Sequence, residues 1–329
     1  MKRALITGMF GQDGSYLAEL LIEKGYEVHG VVREALSEHS VRLKEHLAAK
    51  EVVTTVHLCD LMNYNDVLEL FKAVRPAECY HLAAVHYPAQ VALSDQLQKS
   101  RTLFEQNTIS TLNLLSVVRE VSPETRFVLA GSCMVYDNCE KSPQDETRPF
   151  CSKSVYGLSK IAASQLAEYF CIEQGLHAAT AILYNHESPR RQPIFVTQKI
   201  VRGLVAIQRG SKRRLELGNL HGIKDWGYAK DYAHGMWLMA RADEARPYIL
   251  ATGTAHTVED FIRQAADVLN ISDWRSAVDL KAGITGPPEK APLIGNSQAI
   301  RTDLGWCPSI TFPQLVELMV EHELRGTLD

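Results

Sequence analysis

Three glycines spaced three apart, Gly8, Gly11 and Gly14, stand between a short apolar run, Ala4-Leu5-Ile6-Thr7, and a segment carrying Tyr16, Leu17, Leu20 and Leu21 at helical spacing. Strand, glycine turn and helix are therefore expected in that order, with Gly25 closing the helix. A second apolar run, Val28-His29-Gly30-Val31-Val32, ends at Arg33 and completes a βαβ unit. Glycine at these positions lets the backbone turn tightly and approach a pyrophosphate on the N-terminus of the helix. This one unit excludes most all-α and all-β architectures.

Further apolar runs at Val52–Leu58, Cys79–Ala84, Phe127–Ala130 and Ala179–Leu183 alternate with helical segments. The expected fold class is α/β, a Rossmann-type doubly wound parallel sheet with a smaller C-terminal substrate-binding domain. After Asn185 the composition turns toward proline and basic residues, and a strand at Tyr248–Ala251 is expected to return to the first sheet. The dinucleotide-binding domain is placed at 1–184 with 226–253 returning to it, and the substrate domain at 185–225 and 254–329. A hydrophobic fraction of 46% excludes disorder, and a net charge of −4 gives no reason to expect nucleic acid or an acidic membrane as partner. No apolar run approaches the ~18 residues of a membrane span. Seven cysteines without a C-x-x-C pair point to free thiols rather than disulfides or a zinc site, and no metal is expected. With no signal-peptide pattern after Met1-Lys2-Arg3, a cytoplasmic address is expected.

An NAD site usually ends its second strand with an acid, whereas this strand ends with Arg33, and Arg42 follows in what reads as the next loop. That charge suits a 2′-phosphate, so NADP is expected, with NAD the alternative and a solvated strand end the plain reading of Arg33. Asp60-Leu61 follows the third strand, where Asp60 either accepts from an adenine amino group or caps a helix. Tyr156 and Lys160, four apart, share one helical face. A tyrosine whose pKa is lowered by a neighbouring ammonium and by a cofactor's positive nicotinamide can take a hydroxyl proton near neutral pH while the lysine anchors a ribose. Ser132 lies in a small-residue turn after the Phe127–Ala130 strand, at the carboxyl end of the sheet, so serine, tyrosine and lysine together read as a hydride-transfer set.

The chain resembles the extended short-chain dehydrogenases/reductases that act on nucleotide sugars, in particular the GDP-mannose 4,6-dehydratase family. The likeness runs nearly end to end: Gly11-Gln12-Asp13-Gly14-Ser15-Tyr16-Leu17, Tyr156/Lys160, Asn185-His186-Glu187-Ser188-Pro189-Arg190-Arg191, Phe195-Val196-Thr197, Leu217-Gly218-Asn219-Leu220, Asp225-Trp226-Gly227 and Leu304-Gly305-Trp306. The resemblance implies that Gly8, Gly11, Gln12, Asp13, Arg33, Asp60 and Leu61 hold NADP, that Ser132, Tyr156 and Lys160 act at C4 of the sugar, and that Asn185, Val196, Lys199, Leu217 and Asn219 lie along a GDP moiety. Lys224, in Lys224-Asp225-Trp226-Gly227, is counted with the substrate residues. A homodimer through the Tyr156 helix, with Ala162, Ala163, Leu166 and Ala167 on the packing face, or a homotetramer through the loop after Arg33, is also implied.

The sequence departs from that family in three places. Where the dehydratases carry a glutamate two positions after the catalytic hydroxyl, this chain has Met134, and a thioether neither takes nor gives a proton. His86 and Tyr87 stand where the family pattern has Ser-His, either as a replacement acid/base or as pocket lining. Gly286-Pro287-Pro288-Glu289-Lys290 lacks the family's phosphate-binding arginine, so Lys290 or Arg190 is the expected substitute. Lys212-Arg213-Arg214 either faces phosphates or is a solvated face. The expected activity is NADP-dependent chemistry at C4 of a GDP-mannose-type sugar, with a 4-dehydrogenase, 4-keto reductase or epimerase as one alternative and a silent nucleotide-sugar-binding homologue as another.

Overall fold

The apolar run that opens the chain is completely buried, with Ala4, Leu5 and Ile6 inside the protein. The computed structural model describes residues 1–33, 35–86, 93–281 and 291–328, the side chains of 93–97 excepted. The opening run is β1 (Arg3–Thr7), followed by α1 (Gln12–Glu23), β2 (Glu27–Val32), α2 (Glu38–Ala49), β3 (Thr54–Leu58), α3 (Tyr64–Val74), β4 (Glu78–His81), α4 (Leu93–Val121), β5 (Arg126–Ala130), α5 (Val155–Ile172) and β6 (Ala178–Leu183). The chain then departs through β7 (Asn185–Glu187), α6 (Val196–Gln208), β8 (Leu215–Leu217) and β9 (Ile223–Tyr228), and comes back with α7 (Ala229–Arg241) and β10 (Tyr248–Leu250). It ends with β11 (Ala255–Thr257), α8 (Val258–Val268), β12 (Val278–Leu280), α9 (Gln298–Leu304) and α10 (Phe312–Arg325).

The main sheet has the order β10-β6-β5-β4-β1-β2-β3 with every pair parallel. Strand order reverses between β1 and β4, and in such sheets ligands bind in the crevice beyond the carboxyl ends of the strands at that reversal. One face is covered by α1 and α7, whose Tyr16, Leu17, Leu21, Met236 and Met239 are buried against it. The other is covered by α3, α4 and α5 through Phe71, Leu114, Val118, Ala163, Ala167 and Phe170. A separate apolar cluster joins α6, α8 and α10 through Leu204, Phe261, Ile262, Leu315 and Met319, with Trp226 of β9 among them. Two small sheets, β11-β9-β7 and β12-β8, lie beside it.

Two expectations are corrected here. Arg42 lies within α2, not in a loop: Ser37 caps that helix by accepting from the Ser40 amide at 3.1 Å, and Leu43 and Leu47, one turn apart, fix its buried face. Ala163 and Ala167 face the core of their own chain, because residues four apart on α5 share the stripe that meets the sheet. The outward stripe of α5 carries Leu158, Tyr169 and Ile172, all exposed, and Phe104 and Ile109 are exposed on neighbouring α4. Among the described residues no helix is long and apolar enough to cross a membrane.

Candidate active site

Gly8 adopts φ +75°, which favours glycine, and its carbonyl accepts from the Gly11 amide at 2.9 Å. A Cβ on Gly14 would lie 2.4 Å from the Gly8 oxygen and 2.6 Å from Met9 Cα, so only glycine lets α1 start this close to the turn. No side chain caps the N-terminus of α1. The turn borders a cleft of about 400 Å³ at the strand-order reversal, lined by Gly8, Gly11, Arg33, Ser37, Ser40, Asp60, Leu61 and Asn107 among others. Arg33 reaches Gln106 at 3.2 Å across it, while Asp60 accepts from the Met62 amide at 3.0 Å. Arg42 is not on this lining. A glycine cradle, an uncapped helix start and a cleft running to Asp60-Leu61 fit an extended dinucleotide.

Gln12 does not offer its side chain to the cleft. Its amide donates to the His186 carbonyl at 3.1 Å and accepts from Ser188 Oγ at 2.8 Å, tying the glycine turn to the segment after β6. Asp13 meets His186 Nε2 at 3.0 Å, and His186 Nδ1 lies 2.7 Å from the Tyr184 carbonyl. Each imidazole nitrogen faces an oxygen acceptor, an arrangement that favours the protonated ring, and the ring stacks on Tyr232 at 4.7 Å. Burial opposes charge on both partners, but the pair overcomes it: Asp13 is held below its ordinary range and His186 above its own.

Ser132 begins a short 3-10 turn, Cys133–Tyr136, and its hydroxyl accepts from the Met134 amide at 3.2 Å. Ser154 caps α5, accepting from the Gly157 amide at 3.1 Å and donating to Asp137 at 2.6 Å. The turn and the helix are thus held together, and Ser132 hydrogen-bonds Tyr156. Lys160 is buried and donates to the Ala130 carbonyl at 2.8 Å, with its nitrogen 6.0 Å from the Tyr156 ring centroid. Burial lowers Lys160 to about 8 and raises Tyr156 to about 12 despite the Ser132 bond. The expectation of a tyrosine acidified by its lysine is corrected: the ammonium is directed at a carbonyl, and the phenol is protonated at neutral pH.

His86 stands edge-on to Tyr156 at 4.6 Å and stacks on Phe195 at 6.0 Å. More than a third of it is exposed, so water offsets part of its desolvation; Arg191 and Lys160 add positive charge, and the pKa falls well below the ordinary imidazole range. Met134 packs partly buried beside Val135 and Tyr184. Tyr87 and Gly286–Lys290 lie outside the described residues.

Arg190 is not a substrate residue. It is fully buried, lies over the Tyr16 ring at 3.8 Å, and donates to Ser15 at 3.0 Å and Glu19 at 2.7 Å, binding this segment to α1. Its neighbour Arg191, which the sequence reading passed over, faces the site instead: it pairs with Glu187 at 3.2 Å, covers Phe195 at 3.5 Å and acts electrostatically on Asp13, His86 and Tyr156. The Leu217 side chain belongs to the α6–α8–α10 core. Asn185 Oδ1 accepts from Cys133 Sγ at 3.7 Å beside the Ser132 turn. Val196 is exposed at the start of α6, Lys199 is half-buried one turn on, Asn219 accepts from the His221 amide at 2.8 Å, and Lys224 is half-buried on β9. Lys212 and Arg213 line a separate depression, where Arg214 pairs with Asp279 at 2.7 Å.

A sequence profile described as GDP-mannose 4,6 dehydratase matches residues 5–319. The GDP-mannose 4,6-dehydratase of Vibrio cholerae serotype O1 is 35% identical over 98% of this chain and 94% of its own. Among solved structures, the dTDP-glucose 4,6-dehydratase of Bacillus anthracis, in complex with NAD, superposes with a TM-score of 0.81 at 18% identity, covering 98% of this chain and 96% of its own. RMD of Pseudomonas aeruginosa, complexed with NADPH, superposes at 0.78 with 20% identity, covering 99% and 100%. The two structures share the fold.

The Asp13–His186 pair gives stability a defined pH window. Because folded His186 titrates above 6.5, its contribution is complete below 6.5 and is lost as pH rises through the folded value. Asp13 is the reverse, complete above 3.8 and lost as pH falls through its lowered value. The stability difference between the parent protein and His186→Gln, measured by denaturant unfolding, should therefore be largest between pH 3.8 and 6.5 and shrink on both sides. A pH-independent difference would show that the pair is not ionic.

Proposed function

The chain belongs to the GDP-mannose 4,6-dehydratase family, and from that premise we propose that it moves a hydride at C4 of a GDP-linked hexose, GDP-mannose or a close relative, using NADP. The observation that carries this reading is the Ser132–Tyr156 hydrogen bond beside buried Lys160, at the carboxyl end of β5 and next to the glycine cleft. A nicotinamide dinucleotide bound there supplies or accepts the hydride. Ser132 and Tyr156 hold the C4 oxygen; Tyr156, protonated at neutral pH, donates to the oxygen in reduction, and in oxidation it takes the hydroxyl proton after giving its own up to solvent. Lys160 carries the charge that anchors a ribose. Arg33, with Ser37 and Ser40 on the same lining, supports NADP over NAD, a choice on which the two solved relatives differ. Val196, Lys199, Asn219 and Lys224 are assigned to the nucleotide end of the substrate.

Met134 decides between hydride transfer alone and hydride transfer followed by elimination. Expelling the C6 hydroxyl needs one group that takes the C5 proton and another proton delivered to the leaving oxygen. Met134 does neither, and His86, kept neutral beside two cations, is a weak acceptor and no donor of a charged proton. We therefore assign the chain C4 oxidation, 4-keto reduction or epimerisation as its main chemistry, with dehydration slow. The exposed stripe of α4 and α5 is assigned to a homodimer, since a row of Leu158, Tyr169 and Ile172 is an apolar face without a partner in one chain.

Three measurements test this reading. With GDP-mannose in deuterated water, NMR should show little 4-keto-6-deoxy product, and Met134→Glu should raise its formation by ~10²-fold or more, the worth of a positioned acid/base. Ready formation of that product with deuterium at C5 by the parent protein would overturn the assignment to Met134. Arg33→Ala should weaken NADP binding by about tenfold or more in calorimetry while leaving NAD nearly unchanged, as expected for loss of one phosphate-paired guanidinium; equal losses would reject the clamp. Light scattering at micromolar concentration should give a dimer mass, and Tyr169→Glu should shift it toward the monomer.

A further inference from the structure

The loop between the Ser132 turn and α5 carries a pair of thiols that the hydride-transfer chemistry does not use. At its base the Asn138 amide donates to the Cys151 carbonyl at 3.0 Å and the Cys151 amide donates to Val135 at 2.8 Å, so the outgoing and returning chains run side by side. There the Cys139 and Cys151 side chains come close enough to act on one another. Each is also anchored locally: Cys139 Sγ donates to the Pro149 carbonyl at 3.8 Å and Cys151 Sγ to the Asn138 carbonyl at 3.7 Å, while Asn138 Nδ2 donates to the Cys151 sulfur at 3.4 Å. Both thiols are partly exposed, unlike Cys59, Cys79 and Cys133, which are buried. Burial and the neighbouring Cys151 raise the Cys139 thiol above its ordinary range, and Arg148 opposes them only in part.

We propose that Cys139 and Cys151 form a reversible dithiol/disulfide site that exchanges with a low-molecular-weight disulfide of the glutathione type. The Cys151 thiolate, beside the Asn138 amide donor, attacks one sulfur of the oxidised reagent; that sulfur–sulfur bond breaks and one glutathione thiolate leaves. The Cys139 thiolate then attacks the Cys151 sulfur of the mixed disulfide and the second glutathione thiolate leaves. Two cysteines are oxidised, one glutathione disulfide is reduced to two thiols, and the two cysteine protons pass to those thiols. Thiols held at one loop base by these bonds have to close to the ~2.05 Å of a disulfide for the bridge to form.

The position of the bridge gives it a structural consequence. Lys153 and Ser154 reach back to Asp137 at 2.8 and 2.6 Å, and Ser152 lies against Gly157 at the start of α5. A covalent link from Cys139 to Cys151 therefore staples the arm that presents Ser132 to the arm that presents Tyr156. The inference does not depend on the identity of the sugar or of the dinucleotide.

The test uses the full chain and oxidised glutathione, followed by acid quench, unfolding, alkylation and peptide mass mapping. The titre of free thiols should fall by two from the seven in the sequence, with loss of two hydrogens, no retained glutathione and a Cys139–Cys151 cross-linked peptide that dithiothreitol reverses. Cys139→Ala should instead retain one glutathione on Cys151, because the resolving thiol is gone. Unchanged thiols, a bridge between another pair, or glutathione adducts persisting on the parent protein would each overturn the proposal. Should Cys139→Ala fail to fold by circular dichroism, the parent peptide map decides the matter alone.

Discussion

A guanidinium with no exposed surface holds the two parts of this molecule in register. Arg190 comes from the segment that has just left the main sheet, yet its charge is matched on α1 by Glu19 and its plane covers Tyr16 of the same helix. Removing one member of such a buried pair strands the other, which typically costs several kcal/mol (about 3–5). Gln12 and Asp13 add bonds from the first turn of α1 to Ser188 and His186. The helix that follows the glycine turn is thus fastened along its side to the segment that leads into α6. Movement of one part relative to the other would break several buried polar contacts at once.

Electrostatics inside that frame follow from burial more than from contact. Lys160 gives its proton donors to a backbone carbonyl and is depressed to about 8, while Tyr156 is raised to about 12 by the same loss of water. Both shifts favour the neutral species: Lys160 comes closer to losing its proton than in water, while Tyr156 holds its own more firmly. Arg191 then acts as a cation shared by Asp13, His86 and Tyr156, lowering all three. Its guanidinium is held in place by Glu187 and by the face of Phe195, neither of which is a reacting group.

The parts of the fold that were legible in sequence were those governed by local sterics and period. Glycine spacing defined the first turn because a Cβ at Gly14 would collide with backbone. The apolar runs fell close to β1–β6, and the return of a late strand to the sheet was readable from Tyr248–Ala251, of which Tyr248–Leu250 pairs with β6. The errors arose where direction mattered. Arg190 and Arg191 are adjacent, and the turn in which the Arg191 amide donates to Ser188 sends one side chain into α1 and the other into the site; nothing in the order of two arginines reveals which. Leu217 was misplaced although its signal was present: Leu215-Glu216-Leu217 alternates buried, exposed, buried along β8, and period two puts both leucines in the core. Arg42 likewise sits next to Leu43 and Leu47, whose four-residue spacing marks a helix.

Position 134 shows how a side chain can change without disturbing such a frame. The residue is fixed through its backbone: its amide donates to Ser132 Oγ, and its carbonyl lies so close to Gly157 that a Cβ there would approach it to 2.4 Å. Neither contact involves the side chain. A glutamate or a methionine can therefore occupy the position with Ser132, Tyr156 and the start of α5 held in the same relation, because the bonds that align them are made by main-chain atoms, by Ser154 and by Asp137. On the reading proposed above, proton transfer at C5 and C6 is then separable from hydride transfer at C4: the first depends on what the side chain at 134 carries, the second on groups that the backbone around Met134 keeps in place.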